Sequence, residues 1–178
     1  KDKTILYATK LSPGKGLDLL LLSFSQAIKD SSGLKLQIVG GGDVEKYKRM
    51  AQKLGIEKHV KFMGLIDRTE VMRMRQESLL EVVPSIYPES FGRAALEALA
   101  NGLPVVVSDR GGLTDIVQDG VTGFVVEPTR EKLVRAIIKG VRRNNFLREN
   151  IRNNFEKLRF KFEILPIRRH ISLYKNLI

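Results

Sequence analysis

The sequence predicts an α/β domain in which a parallel sheet carries helices on both faces. Three observations predict it: six short runs rich in β-branched and apolar residues, stretches of helical periodicity between them, and glycine or proline at most of the junctions. With 178 residues, 43% of them hydrophobic, the chain can bury one well-formed core, and a single domain over residues 1–178 is expected.

The elements follow in order. Strands are predicted over residues 4–8, 35–39, 60–63, 80–84, 104–108 and 124–126, a number that suits a Rossmann-like three-layer α/β/α sandwich with a six-stranded parallel sheet. Helices are predicted over 15–29, 44–54, 69–77 and 90–101, with a short helix over 115–119. Leu17, Leu20, Leu21, Phe24, Ala27 and Ile28 form the apolar stripe of the first. Gly102 and Pro104 close the fourth, as a glycine just past a helix end and a following proline would. Beyond Pro128 the strand signal stops, and two or three helices are expected, the last over 166–177.

Composition narrows the function. The chain has no cysteine, which excludes disulfides and thiolate metal sites. There is no run of eighteen apolar residues and no signal-peptide pattern at the start, so a soluble, cytoplasmic protein is expected. The net charge of +11 is uneven: residues 129–178 hold 14 Lys and Arg against four Glu, hence +10. Such a stretch reads either as a solvated helical face or as a surface for anionic partners, which would place the protein at the inner face of a membrane. Nucleic acid is not expected, because the basic residues are scattered and aromatics are not interleaved among them.

The segment from Pro84 to Val106 carries the chemistry. A strand ends at Pro84, a loop passes Pro88, and a helix of small residues is expected from about Ser90. Its first turn would offer free N–H groups and the positive end of the helix dipole at the carboxyl edge of the sheet, where open α/β sheets bind phosphates. Gly92 would let a diphosphate approach the backbone, and Ala94 would keep that approach open. On helical rise Glu97 would lie about 12 Å from Glu89, so the two carboxylates could hold opposite ends of an extended ligand but could not serve one bond. Each also has a plain alternative: Glu97 pairing with Arg93 one turn back, and Glu89 complementing the helix dipole. His59 and His170 are too far apart to suggest a ligand set, and no Asp-x-Asp occurs.

Glu89-x7-Glu97 sits inside Pro84-Ser85-x3-Glu89-Ser90-Phe91-Gly92-x4-Glu97-Ala98, with Gly102-Leu103-Pro104-Val105-Val106, Gly111-Gly112 and Gly120-Val121-Thr122-Gly123 after it. Before it stand Lys10-Leu11 with Lys15-Gly16, Leu36-Gln37-Ile38-Val39-Gly40, and Val60-Lys61-Phe62-Met63-Gly64. This ordered series is similar to the donor-binding domain of family 4 retaining glycosyltransferases, which is one half of a GT-B fold. The resemblance implies that Glu89 contacts donor-sugar hydroxyls. It implies that the backbone of Ser90, Phe91, Gly92, Arg93 and Ala94 lies near sugar and diphosphate, and that Glu97 accepts from the ribose. Lys15 would neutralise the diphosphate together with Lys10, and the base would lie at Leu65 and Ile66. Lys10 stands where the family has arginine, and Ala8-Thr9 replaces the usual glycine, so a bidentate contact is lost and weaker donor binding is expected.

By the same resemblance the substrate is a nucleotide sugar, with UDP or GDP donors favoured, no cofactor and no metal. The sugar would pass with retention to a glycan or lipid-linked acceptor bound by a preceding acceptor domain. The basic C-terminal helices would contact a membrane peripherally. The final helix would cross back to the acceptor domain with an apolar stripe of Ile167, Ile171, Leu173 and Tyr174. Two rivals stay open: a module that binds nucleotide sugar without transfer, and a polyanion-binding domain.

Overall fold

The structure, a computed structural model, describes residues 3–154. The helix expected over 166–177, with its apolar stripe and His170, lies outside the described residues. Six strands form one parallel sheet: β1 (Lys3–Ala8), β2 (Leu34–Val39), β3 (Val60–Gly64), β4 (Leu80–Val83), β5 (Val105–Ser108) and β6 (Gly123–Val126). Their order is β3-β2-β1-β4-β5-β6, so the direction of winding reverses between β1 and β4. A reversal leaves a crevice at the carboxyl ends of the two strands, and loops leaving β1 and β4 line it.

The helices are α1 (Leu17–Asp30), α2 (Val44–Lys53), α3 (Arg68–Glu77), α4 (Arg93–Ala100), α5 (Leu113–Ile116), α6 (Arg130–Arg142) and α7 (Asn144–Asn153), with a short 3₁₀ turn at Glu57–His59 that was not expected. Strand residues alternate between two cores. Ile5, Tyr7, Leu36, Ile38, Val82 and Val106 point to the face covered by α1, α2 and α6. Val83, Val105 and Val107 meet α4 and α5 on the other, where Leu6 and Val39 pack on Met74 of α3. The predicted stripe of α1 is the observed one: Leu17, Leu20, Leu21, Phe24 and Ala27 are fully buried and Ile28 packs at the margin. Each such side chain contributes about 1.5–3 kcal/mol by leaving water. At the far end of the sheet Arg148 of α7 donates to the carbonyls of Gly102 and Ser78, and Asn144 to that of Leu79, which anchors the last described helix.

Two helix positions differ from expectation. The fourth helix begins at Arg93, not Ser90, because Gly92 is left-handed (φ 71°) and ends the loop there. Glu89 is therefore a loop residue, not a first-turn acid, and helical rise does not set its separation from Glu97. The short helix expected over 115–119 runs instead over Leu113–Ile116. Smaller shifts move α1 two residues later and trim β4 and β5 by one.

Candidate functional site

Nine of the eleven candidate residues line one cleft of about 780 Å³ at the reversal: Lys10, Lys15, Glu89, Glu97 and the run Ser90–Ala94. The other two, Leu65 and Ile66, line a second lobe of about 640 Å³ beside Gly40 and Gly41. Ala8, Thr9, Lys10 and Glu97 border both, so the lobes meet at these four residues.

Three loops hold the first lobe together. The loop after β1 turns through Gly16 (φ 72°), where a Cβ would stand 1.8 Å from the Pro84 carbonyl oxygen, so only glycine lets Lys15 sit against the end of β4. The loop after β4 answers with the N–H of Ile86, which donates to the Gly14 carbonyl at 2.7 Å. The loop after β5 grips Glu89 by its backbone: Gly112 N–H donates to the Glu89 carbonyl at 2.7 Å. Sequence reading gave Gly111-Gly112 no role, and this is the role the structure gives them.

The Glu89 carboxylate is the electrostatic centre of the lobe. Lys15 Nζ and Ser85 Oγ both donate to its Oε1 at 2.5 Å, and Ser108 Oγ in turn donates to the Ser85 carbonyl at 2.5 Å. Burial pushes Glu89 up, but the hydrogen bonds from Lys15 and Ser85 and the lysine charge outweigh it and hold the carboxyl below its ordinary range. An ionised, oriented acceptor beside an ammonium can bind a sugar hydroxyl on one side and a phosphate on the other. Ser85 was not among the predicted residues, although its place two residues past the end of β4 was a usable signal.

The amino end of α4 opens into the same lobe. No side chain caps it, so the first-turn N–H groups and the helix dipole face the cleft through Arg93 and Ala94. The reason given for Gly92 needs correction. A Cβ there would meet Leu113 Cδ2 at 2.7 Å, so the glycine is required by the turn and by packing on α5, while its backbone lines the cleft. Arg93 does not pair with Glu97 as the helical alternative expected. Glu97 Oε2 instead accepts from Arg75 Nη1 at 2.7 Å, and Arg75 Nε and Nη2 donate to Glu81 at 2.8 and 3.3 Å. Sequence reading missed Arg75 and Glu81. The signal was Glu81 itself, a charge inside the apolar strand Leu80–Val83, which needs a buried partner.

In the second lobe Leu65 is 83% exposed, a large apolar side chain at the surface beside a glycine loop. The loop is tied to the first lobe: Leu11 N–H donates to the Gly41 carbonyl at 2.8 Å. Among the described residues no group of three or more His, Cys, Asp and Glu converges as a metal ion requires. Nor is any described helix long and apolar enough to cross a membrane.

Taken together, a reversing parallel sheet, two lysines, an uncapped helix and a second lobe with an apolar rim define an α/β domain with a two-lobed cleft whose chemistry would suit an elongated, phosphate-bearing ligand. Comparison with known proteins gives the class its family. The chain belongs to the glycosyl transferases group 1, whose family pattern matches residues 1–158. It is 34% identical over 157 residues to an uncharacterized glycosyltransferase of Methanocaldococcus jannaschii, covering 88% of this chain and 40% of that protein. It is 30% identical over 148 residues to a phosphatidyl-myo-inositol mannosyltransferase of Mycobacterium leprae, covering 83% and 39%. The chain thus spans two-fifths of the length of these curated relatives. Among solved structures, sucrose-phosphate synthase of Thermosynechococcus elongatus superposes with a TM-score of 0.87 at 28% identity, over 99% of this chain and 46% of that one. Anabaena HepE, solved with UDP and glucose, superposes at 0.86 and 23% identity, over 99% and 49%, which shows agreement in fold. The fold is that of GT-B glycosyltransferases.

Proposed function

We propose that this chain is the donor-binding part of a retaining, family 4 glycosyltransferase. It binds a nucleoside diphosphate sugar, UDP- or GDP-linked, and a further domain supplies the acceptor. The observation that carries the reading is the Lys15–Glu89 pair set beside the uncapped amino end of α4, in a cleft where the sheet reverses. In this reading Glu89 and Ser85 face the sugar. Lys10, Lys15 and the α4 N–H groups face the diphosphate, Glu97 faces the ribose, and Leu65 with Ile66 faces the base.

Breaking the bond between sugar and diphosphate puts negative charge on the leaving phosphate. The helix amino end is fixed before the reaction, and the Lys10 and Lys15 ammonium groups join it in stabilising that charge without a metal. The transferred group would be a hexose, passed to a glycan or lipid-linked acceptor, and the domain alone would bind the donor without turning it over. HepE, solved with UDP, supports a uridine donor by analogy of fold.

Calorimetric titration of the chain with UDP, GDP and ADP, without added metal, tests the reading. Selective binding weakened by Lys15→Ala and Glu97→Ala is expected. A folded chain that binds none of the three would refute it. The rival of a binding module without transfer is separated by mixing the chain with an amino-terminal acceptor domain and assaying sugar transfer.

A further inference from the structure

At the junction of the two lobes three charged side chains form a connected row, of which Arg75 and Glu97 border the second lobe. Glu81 is fully buried in β4, Arg75 is 3% exposed on α3, and Glu97 is 43% exposed on α4. Glu81 cannot shift, because its strand is fixed on both sides: it pairs with Leu6 of β1 and Val105 of β5, and its N–H donates to the Pro104 carbonyl at 3.0 Å. Arg75 cannot shift, because Glu81 takes Nε and Nη2 in a two-pronged contact that fixes the plane of the guanidinium. The third nitrogen then points at Glu97 Oε2.

A glutamate on a half-exposed helix face ordinarily samples several rotamers and loses that freedom on meeting a ligand. Here a charge-assisted bond from an immobile donor selects the rotamer in advance. Only Oε2 is taken by the arginine, so Oε1 keeps its acceptor capacity for the cleft. The row also sets the local charge. Glu81 offsets Arg75, so the Glu97 carboxylate keeps its acceptor character, beside the Lys10 ammonium that borders the same two lobes. Burying an ion pair of this kind gives no more stability than apolar residues of the same volume, so stability alone does not explain it.

We propose that Arg75, clamped by Glu81, is a positioning residue that presets the Glu97 carboxylate to read the ribose hydroxyls of the donor. The inference rests on the donor-site reading above and adds the element behind it. Specificity for the ribose would then depend on an ion pair in the core as well as on Glu97.

The test is calorimetry at pH 8 on the 178-residue chain, with UDP and GDP each compared with its 2′,3′-dideoxy counterpart. The unsubstituted chain should prefer the ribonucleotide by roughly tenfold or more, the effect of one or two hydrogen bonds to a charged acceptor. Glu97→Gln should abolish most of that preference. Arg75→Met/Glu81→Leu, which removes the buried pair without leaving an orphan charge, should cut the preference to within about twofold while affinity for the dideoxy nucleotide is unchanged. Arg75→Lys keeps the charge but not the fork, and should lose the preference severalfold even if the double variant does not fold. Full preference retained in either folded variant, with Glu97→Gln losing it, overturns the role of Arg75 and leaves the donor site standing. No preference in the unsubstituted chain overturns the ribose role of Glu97 and with it that of Arg75; no nucleotide binding overturns the donor site as well.

Discussion

Replacing Arg75 by Met removes the guanidinium that hydrogen-bonds Glu81, a carboxylate with no exposed surface. The orphaned group must stay charged in the core or take a proton, and breaking a buried pair in this way costs about 3–5 kcal/mol. Domains have only about 5–15 kcal/mol in total, and at this size each kcal/mol moves the melting point by about 2–4 °C. Arg75→Met should therefore melt roughly 6–20 °C below the parent at pH 8, whereas Arg75→Met/Glu81→Leu should melt near it. The pH dependence follows from the same group. Burial pushes Glu81 from 4.5 up to about 7, against the pull of Arg75. The folded chain thus holds this proton more tightly than the unfolded one, so the contribution is complete below about pH 4.5 and is lost as pH rises through 7, by at most about 1.4 kcal/mol per unit. Without Arg75 the carboxyl moves higher still, and the single variant should regain stability between pH 9 and pH 5 while the double variant shows no such recovery. Thermal melts followed by circular dichroism at pH 5, 7 and 9 decide it. A single variant as stable as the parent at pH 8, or a double variant as damaged as the single, would refute the reasoning.

Other consequences follow from named contacts. Gly92→Ala forces a side chain into a left-handed position and against Leu113, and should cost about 1–3 kcal/mol by urea denaturation; a loss below half a kcal/mol would show that α5 yields. Lys15→Ala should weaken UDP binding by roughly tenfold or more and raise the Glu89 carboxyl, since burial would then be opposed by Ser85 alone; carbonyl NMR titration reads the shift. The pair's contribution to stability is present above the ordinary carboxylate range and lost as pH falls through the lowered value, so the parent should show an acid-limb loss that Lys15→Ala lacks. Arg135, Lys139, Arg142 and Arg143 line a groove of about 430 Å³ on α6, and the chain should bind anionic but not neutral vesicles at low salt. Arg135→Gln/Arg142→Gln should weaken that binding about tenfold, and co-sedimentation unaffected by 0.5 M salt would exclude an electrostatic contact.

The parallel sheet was legible because its strands are short β-branched runs and its longest helix has a clean apolar stripe; both signals are local. The helix start at Arg93 was not, because the left-handed turn at Gly92 answers to Leu113 on an element twenty-one residues away. The two carboxylates could be singled out from the sequence as cleft residues, but their partners could not. Lys15 meets Glu89 across 74 positions, and Arg75 reaches Glu97 across 22, through the topology of the sheet. A helical rule offered Arg93 instead, and tertiary structure overrode it. Glu81 could have been found, since a charge in an apolar strand must be paired. Its partner could not have been chosen among the several arginines of the preceding helix without knowing which one faces the sheet.

The two lobes address a ligand by different physics. The first lobe joins mobile cations to a helix end: Lys10 is exposed, Lys15 is held only through Glu89, and the N–H groups of α4 are fixed. Such a site attracts any diphosphate and discriminates little among them. The second lobe offers an exposed Leu65 and backbone from a glycine loop, which suits a flat base but gives little orientation. In the proposed reading direction comes from the junction, where Arg75 holds the Glu97 carboxylate, so a ligand laid in reverse would bring a phosphate against a carboxylate that cannot turn away. Like-charge contact of this kind rejects the wrong pose more effectively than attraction selects the right one. In that reading the orientation of the donor, and hence the position of its reacting bond beside Glu89, would be a property of the rigid core and not of the flexible lysines that first attract it.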